Sequence, residues 1–212
     1  MNGFLRFLAW VAVIGGALAA IGYYTYADVW VVPTDDQRLL ASVEPTLRGG
    51  DLVLVARHGA PALGNLVRCV DPDEPRRWVA ARIVGNGGSE LKVSERTFSA
   101  TGSRETSNGA CDSLRVQNPA NGDDVDLVCR NEEFAGLSYQ VLSRQETTTS
   151  TDHPVQVNVP QGRSYLLSDD RYLHLDSRDY GSLPSASCQH VFFRLWGAGG
   201  FSDGARRFNI LW

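Results

Sequence analysis

Apolar residues fall into one long block followed by short alternating runs, and the two patterns predict different structures. Phe7 to Tyr26 is a run of 20 residues without a charged side chain. At about 1.5 Å per residue such a helix spans about 30 Å, the hydrocarbon thickness of a bilayer. Tyr23, Tyr24, Tyr26 and Trp30 stand where an interfacial aromatic belt would lie, and no compelling small-x-small site closes the run. It therefore reads as a retained anchor and not a cleaved leader. Arg6 precedes it and Asp28, Asp35 and Asp36 follow, which puts the short end in the cytoplasm and the bulk outside.

Beyond the anchor the runs are strand-like. Asp51-Leu-Val-Leu-Val follows a Gly49-Gly50 turn, VQVNVPQGRSY covers Val155 to Tyr165, and Val191 to Trp196 reads as a closing strand. From Ser94 to His153 the composition shifts to Ser, Thr, Asn, Gly and Asp. Short strands are expected there at Ser113–Gln117, Val125–Cys129 and Leu137–Leu142, and a mobile loop at Thr147 to Pro154. The apolar end, Phe208 to Trp212, either packs on the core or touches the bilayer surface.

Composition narrows the function classes. A chain of 212 residues suits one domain, or a core with an insertion, and a net charge of −4 leaves no nucleic-acid footprint. Four cysteines without a CxxC argue against a zinc site, and an even count beyond an anchor fits an oxidising compartment. Cys111 and Cys129 flank a Gly/Asn/Asp-rich segment and are expected to bridge. Cys69 and Cys188 are either a second bridge or small buried core residues. Lys92 is the sole lysine, which restricts any chemistry that needs an amine.

Ser164 to Pro184, SYLLSDDRYLHLDSRDYGSLP, concentrates Asp169, Asp170, Arg171, Asp176, Arg178 and Asp179. Such a run is ordinarily a solvated loop. Here DxR occurs twice, and an Asp and an Arg two apart on an extended segment point the same way and can form a buried bidentate pair. The stretch resembles the type I signal peptidase motif GDNRxxSxDSRxxGxVP, with Asp169, Arg171, Asp176, Ser177, Arg178, Gly181 and Pro184 in register. Ser168 replaces its glycine and His174 its first serine. Ser42 to Val55, SVEPTLRGGDLVLV, is similar to the family's SMxPTLxxGDxVLV with Val43 for Met. Gly64 to Glu90 resembles its GDxVVF and KRVVGLPGD motifs, with Arg82, Val84, Gly85 and Gly88 matched.

The resemblance implies a mostly β fold: a β-sheet core of the signal-peptidase type over 29–93 and 154–212, an inserted smaller β domain over 94–153, and one N-terminal transmembrane helix within 1–28. It implies a single-pass protein of the inner, cytoplasmic membrane, its bulk periplasmic or otherwise extracytoplasmic. The implied partners are the bilayer, a preprotein or signal-peptide substrate, and a membrane partner subunit; no cofactor and no metal are called for. By the same match Ser42 stands at the nucleophile. Leu40 occupies a position where some members place a second oxyanion-binding hydroxyl, and the Ser42 backbone N–H is left for that task.

The family's base lysine falls on Ala81, which has no proton acceptor. Lys92 lies ten residues past Arg82 on the next strand and does not fill the gap. Lysine and the serine that orients it are replaced together by Ala81 and His174, which reads as one exchange with the imidazole as a relocated base for Ser42. Its bland counterpart is a histidine that plugs a hole. Asp169 or Asp176 would orient it, while Asp169, Arg171, Asp176, Arg178 and Arg82 form the supporting charge network, Asp176 pairing with Arg178 or Arg82. Two functions follow: a membrane-anchored serine endopeptidase with a Ser42–His174 dyad, or a catalytically inactive relative that binds peptide or a membrane partner. A β scaffold or adhesin would leave both DxR pairs unexplained.

Overall fold

The computed structural model describes residues 3–100, 103–104, 106–144 and 154–211. The Thr147 to Pro154 loop lies outside them except for its last residue. Helix α1 (Gly3–Tyr26) runs directly into strand β1 (Ala27–Val31), and a short helix α2 (Gln37–Val43) precedes β2 (Leu52–Ala56). Then follow β3 (Leu66–Val70), β4 (Trp78–Asn86), β5 (Glu90–Val93), β6 (Phe98–Ala100), β7 (Ser103–Arg104), β8 (Thr106–Ala110) and β9 (Leu114–Gln117). The longest strand, β10 (Asp124–Phe134), is followed by β11 (Leu137–Arg144), β12 (Val155–Asn158) and β13 (Arg163–Leu167). A one-turn helix α3 (Ser177–Tyr180), β14 (Leu183–Pro184), β15 (Cys188–Trp196) and β16 (Asn209–Ile210) complete the described chain.

The fold is mostly β. The main antiparallel sheet has the order β1-β2-β15-β3-β4-β13-β14, with β16 on β15. A second sheet places β10 between β11 and β8 and also pairs it with β9; a third runs β12-β5-β6-β7. Strand β4 is central, and Val79 to Gly85 are all buried, as expected for a strand covered on both faces. Side chains alternate across it. Ala80 packs with Leu39 and Val43 of α2, Val53 and Val191. Val79, Ala81 and Ile83 face the other way, into a cluster with Val67, Leu166 and Leu183.

Two expectations need correction. Among the described residues no helix is long and apolar enough to cross a membrane, so the expected spanning anchor is not found. Helix α1 covers the predicted run. The segment holding Ser42 is a helix, which the strand-like reading of the chain beyond the anchor did not include. Asp36 caps it by accepting from the Leu39 amide. At the C-terminus Leu211 is buried in the core, while Phe208 and Ile210 are exposed.

Two disulfides form, Cys69–Cys188 between neighbouring β3 and β15 and Cys111–Cys129 beside β10. The second closes a sequence separation of 18 residues. Replacing Cys111 and Cys129 by alanine is expected to cost about 3 kcal/mol in reversible unfolding, from loop-closure entropy. An unchanged denaturant midpoint would show that this sheet does not unfold with the rest.

Candidate active site

Ser42 lies in the last turn of α2 with no exposed surface, its hydroxyl donating to the Leu39 carbonyl at 2.8 Å. Its own carbonyl accepts the Asp170 amide at 3.1 Å, which ties the serine motif to the acidic stretch. Thr46, four residues on, donates its hydroxyl to Asp169 at 2.5 Å. The two motifs that stood apart in the sequence therefore meet at Asp169 and Asp170.

The supporting network is buried and mostly bidentate. Asp169 receives Arg82 through Nε at 2.7 Å and Nη2 at 3.1 Å, with both side chains about 1% exposed. Arg82 also donates to the Gly64 carbonyl and lies 3.8 Å from the Tyr139 ring centroid. Arg171 reaches Glu132 of β10 at 2.6 Å, and the Tyr139 hydroxyl donates to the same carboxylate. The main chain of β11 joins in: the Leu142 amide donates to Asp169 O, and Leu142 O accepts the Arg171 amide.

Asp176 is the second centre. It accepts the Ser168 amide, the Arg178 amide and two guanidinium donors of Arg178, all at 2.7–3.0 Å. Burial works against its ionisation, but the hydrogen bonds and charge of Arg178 prevail and hold its pKa below the usual value. Asp176 also caps α3 in a capping box whose other half is Asp179.

His174 turns to that box: its Nδ1 lies 2.9 Å from Asp179 Oδ2, and its side chain is 29% exposed. The residue that orients it is thus Asp179, and not Asp169 or Asp176, which are saturated by arginines. No hydrogen bond joins His174 to Ser42. Asp179 sits below the usual carboxylate range: burial opposes ionisation, and the bonds from His174 and the Asp176 amide outweigh it. The nearby trio His174, Asp176 and Asp179 brings three potential ligand atoms within 4.8 Å. Since Arg178 and backbone amides already fill Asp176, these residues do not fit a metal.

Ala81 is 1% exposed. It packs in the apolar cluster with Val67 and Leu166, on the opposite face of β4 from Ala80 and α2. An amine there would be desolvated and its pKa lowered; alanine simply fills the apolar site. Lys92 is exposed on β5 opposite Gln156.

Sequence reasoning passed over Asp170. It is fully buried, and its Oδ1 accepts the Tyr172 and Leu173 amides at 2.8 Å each, while Oδ2 has no partner. Burial pushes its pKa up to about 7; the two amides oppose that rise, Glu44 adds to it and His174 subtracts from it. The available signal was its replacement of the asparagine in GDNR.

A family model described as signal peptidase, peptidase S26, matches residues 7–196. No curated relative matches the chain.

Proposed function

The chain belongs to the signal peptidase family, peptidase S26, and from that premise we propose that it is a serine endopeptidase acting on exported polypeptides, with Ser42 as nucleophile and His174 as the relocated base. The observation that carries the reading is the backbone bond from Asp170 to Ser42, which holds the serine motif against the segment leading to His174. Asp179 gives the imidazole an orienting partner, as a general base requires. In this reading Ser42 attacks the scissile carbonyl. The substrate is a preprotein or signal peptide. We place α1 at the membrane, with its bare apolar surface at Phe4, Trp10 and Leu18, and the β sheets on the extracytoplasmic side.

The full chain in detergent, offered a peptide with a small-x-small site, tests this. Ser42→Ala is expected to abolish cleavage, and His174→Ala to lower kcat about 100-fold. Lys92→Ala should match the parent. Cleavage by Ser42→Ala at the parental rate would end the reading.

A second reading, an inactive relative that binds peptide, is favoured by the enclosure of Ser42 and its bond to Leu39. It takes over if the parent cleaves nothing and Ala81→Lys with His174→Ser gains activity.

A further inference from the structure

Ser42 and His174 are not hydrogen-bonded, yet one buried acid is linked to both, to the first through its main chain and to the second through its charge. Asp170 is bonded through its amide to the Ser42 carbonyl. Its carboxyl lies within electrostatic range of His174 and of Glu44, the C-cap of the helix that carries Ser42. Oδ1 is committed to two backbone amides, which fixes the carboxyl plane, and Oδ2 is enclosed without a partner. A buried acceptor left unmade is costly, and such an atom on the residue whose amide holds the Ser42 carbonyl points to a use. The neighbouring acids give no competing explanation: Asp169 is filled by Arg82 and Thr46, and Asp176 by Arg178.

We propose that Asp170 is a further catalytic residue, the carboxylate that directly accepts the Ser42 proton, with His174 acting behind it. The proposal rests on Ser42 being the nucleophile and inserts Asp170 between that serine and His174. In acylation the Ser42 Oγ–H proton passes to Asp170 Oδ2 as the Oγ–C bond forms. As the tetrahedral adduct collapses, the C–N bond breaks and the leaving nitrogen takes that proton from Asp170. In deacylation Asp170 accepts a proton from water as the hydroxyl adds to the ester carbon, and returns it to Ser42 Oγ when the ester bond breaks. The bond to Leu39 must open for the first step, since the hydroxyl has one proton to donate. A carboxyl raised by its burial toward neutrality suits this work, because a base is most effective when its pKa lies near the working pH.

Asp170→Asn is the decisive variant. It keeps the oxygen that serves Tyr172 and Leu173 and changes only the partnerless atom. Kinetics of the full chain on the same peptide should show kcat reduced at least about 100-fold with KM little changed. The variant should melt no lower than the parent and lose the parental pH–rate inflection near 7. Independently of turnover, the Asp170 carboxyl should titrate by NMR with a different midpoint in Ser42→Ala than in the parent. If Ser42→Ala is inert while Asp170→Asn keeps its kcat within about threefold, this proposal fails and the peptidase reading stands. An identical titration midpoint in both proteins overturns it as well. If Ser42→Ala still cleaves, or the parent cleaves nothing, the reading beneath it fails too.

Discussion

Asp176→Ala is expected to lower the unfolding free energy by about 3–5 kcal/mol, the usual consequence of removing one member of a buried ion pair. The carboxylate has no exposed surface, while the Arg178 side chain is 12% exposed, so the stranded guanidinium gains little from water. The same change removes the acceptor for the Ser168 amide and the cap of α3, so several buried donors are orphaned together. Asp176→Asn keeps an acceptor for the cap but loses the charge, and should fall between parent and alanine variant. Urea unfolding at pH 7 measures both. An alanine variant as stable as the parent would mean that the network is not held in solution.

The second large effect is on pH dependence, and its sign follows from Asp170. Its folded pKa of about 7 stands above the ordinary 3.8. The folded protein therefore binds this proton more tightly than the unfolded chain does. The stabilisation is fully present below pH 3.8 and is lost as pH rises through about 7. At about 1.4 kcal/mol per pH unit, that rise corresponds to about 4 kcal/mol. Glu44, also raised by burial against the pull of Arg48 and Arg206, acts in the same direction. Asp176 has the opposite sign: its contribution is present above 3.8 and lost as pH falls through its depressed pKa. Comparing parent with Asp170→Asn from pH 4 to pH 9 isolates the Asp170 part. The variant should be progressively favoured as pH rises, and a constant difference between the two would refute the assignment.

Of the two DxR stretches only Asp176 and Arg178 pair with each other, and they do so across the start of α3 and not along an extended segment; Asp169 and Arg171 take separate partners. Those separate partners were not legible in the sequence. Arg171 meets Glu132, 39 residues away on a strand of the polar, variable-looking segment, and nothing near either residue announces the other. Arg82 likewise reaches Asp169 across 87 residues. The helix carrying Ser42 was missed because its seven residues are too few for a periodic signal, even though Asp36 marks its start. The orienter of His174 went to Asp179, since capping geometry and not spacing along a strand decides which carboxylate remains available. Strand β10 was read as Val125–Cys129 and extends to Phe134, because Arg130 to Glu133 look solvated until Tyr139 and Arg171 supply partners for Glu132.

The Cys69–Cys188 bridge encloses a sequence separation of 119 residues, from the end of β3 to the start of β15. Every residue of the acidic stretch, all of β4 and the whole second sheet lie inside that span, whereas Ser42 lies outside it. A single nick anywhere between residues 70 and 187 consequently leaves two polypeptides that remain one molecule until a reductant is added. The halves of the site would then be inherited from separate chains: the serine with α1 on one, and His174 with Asp170 on the other for any cut ahead of residue 170. A single cut at any peptide bond between residues 70 and 169 should thus yield a species that migrates intact without reductant and as two bands with it, a covalent two-chain form still carrying both parts of the candidate active site.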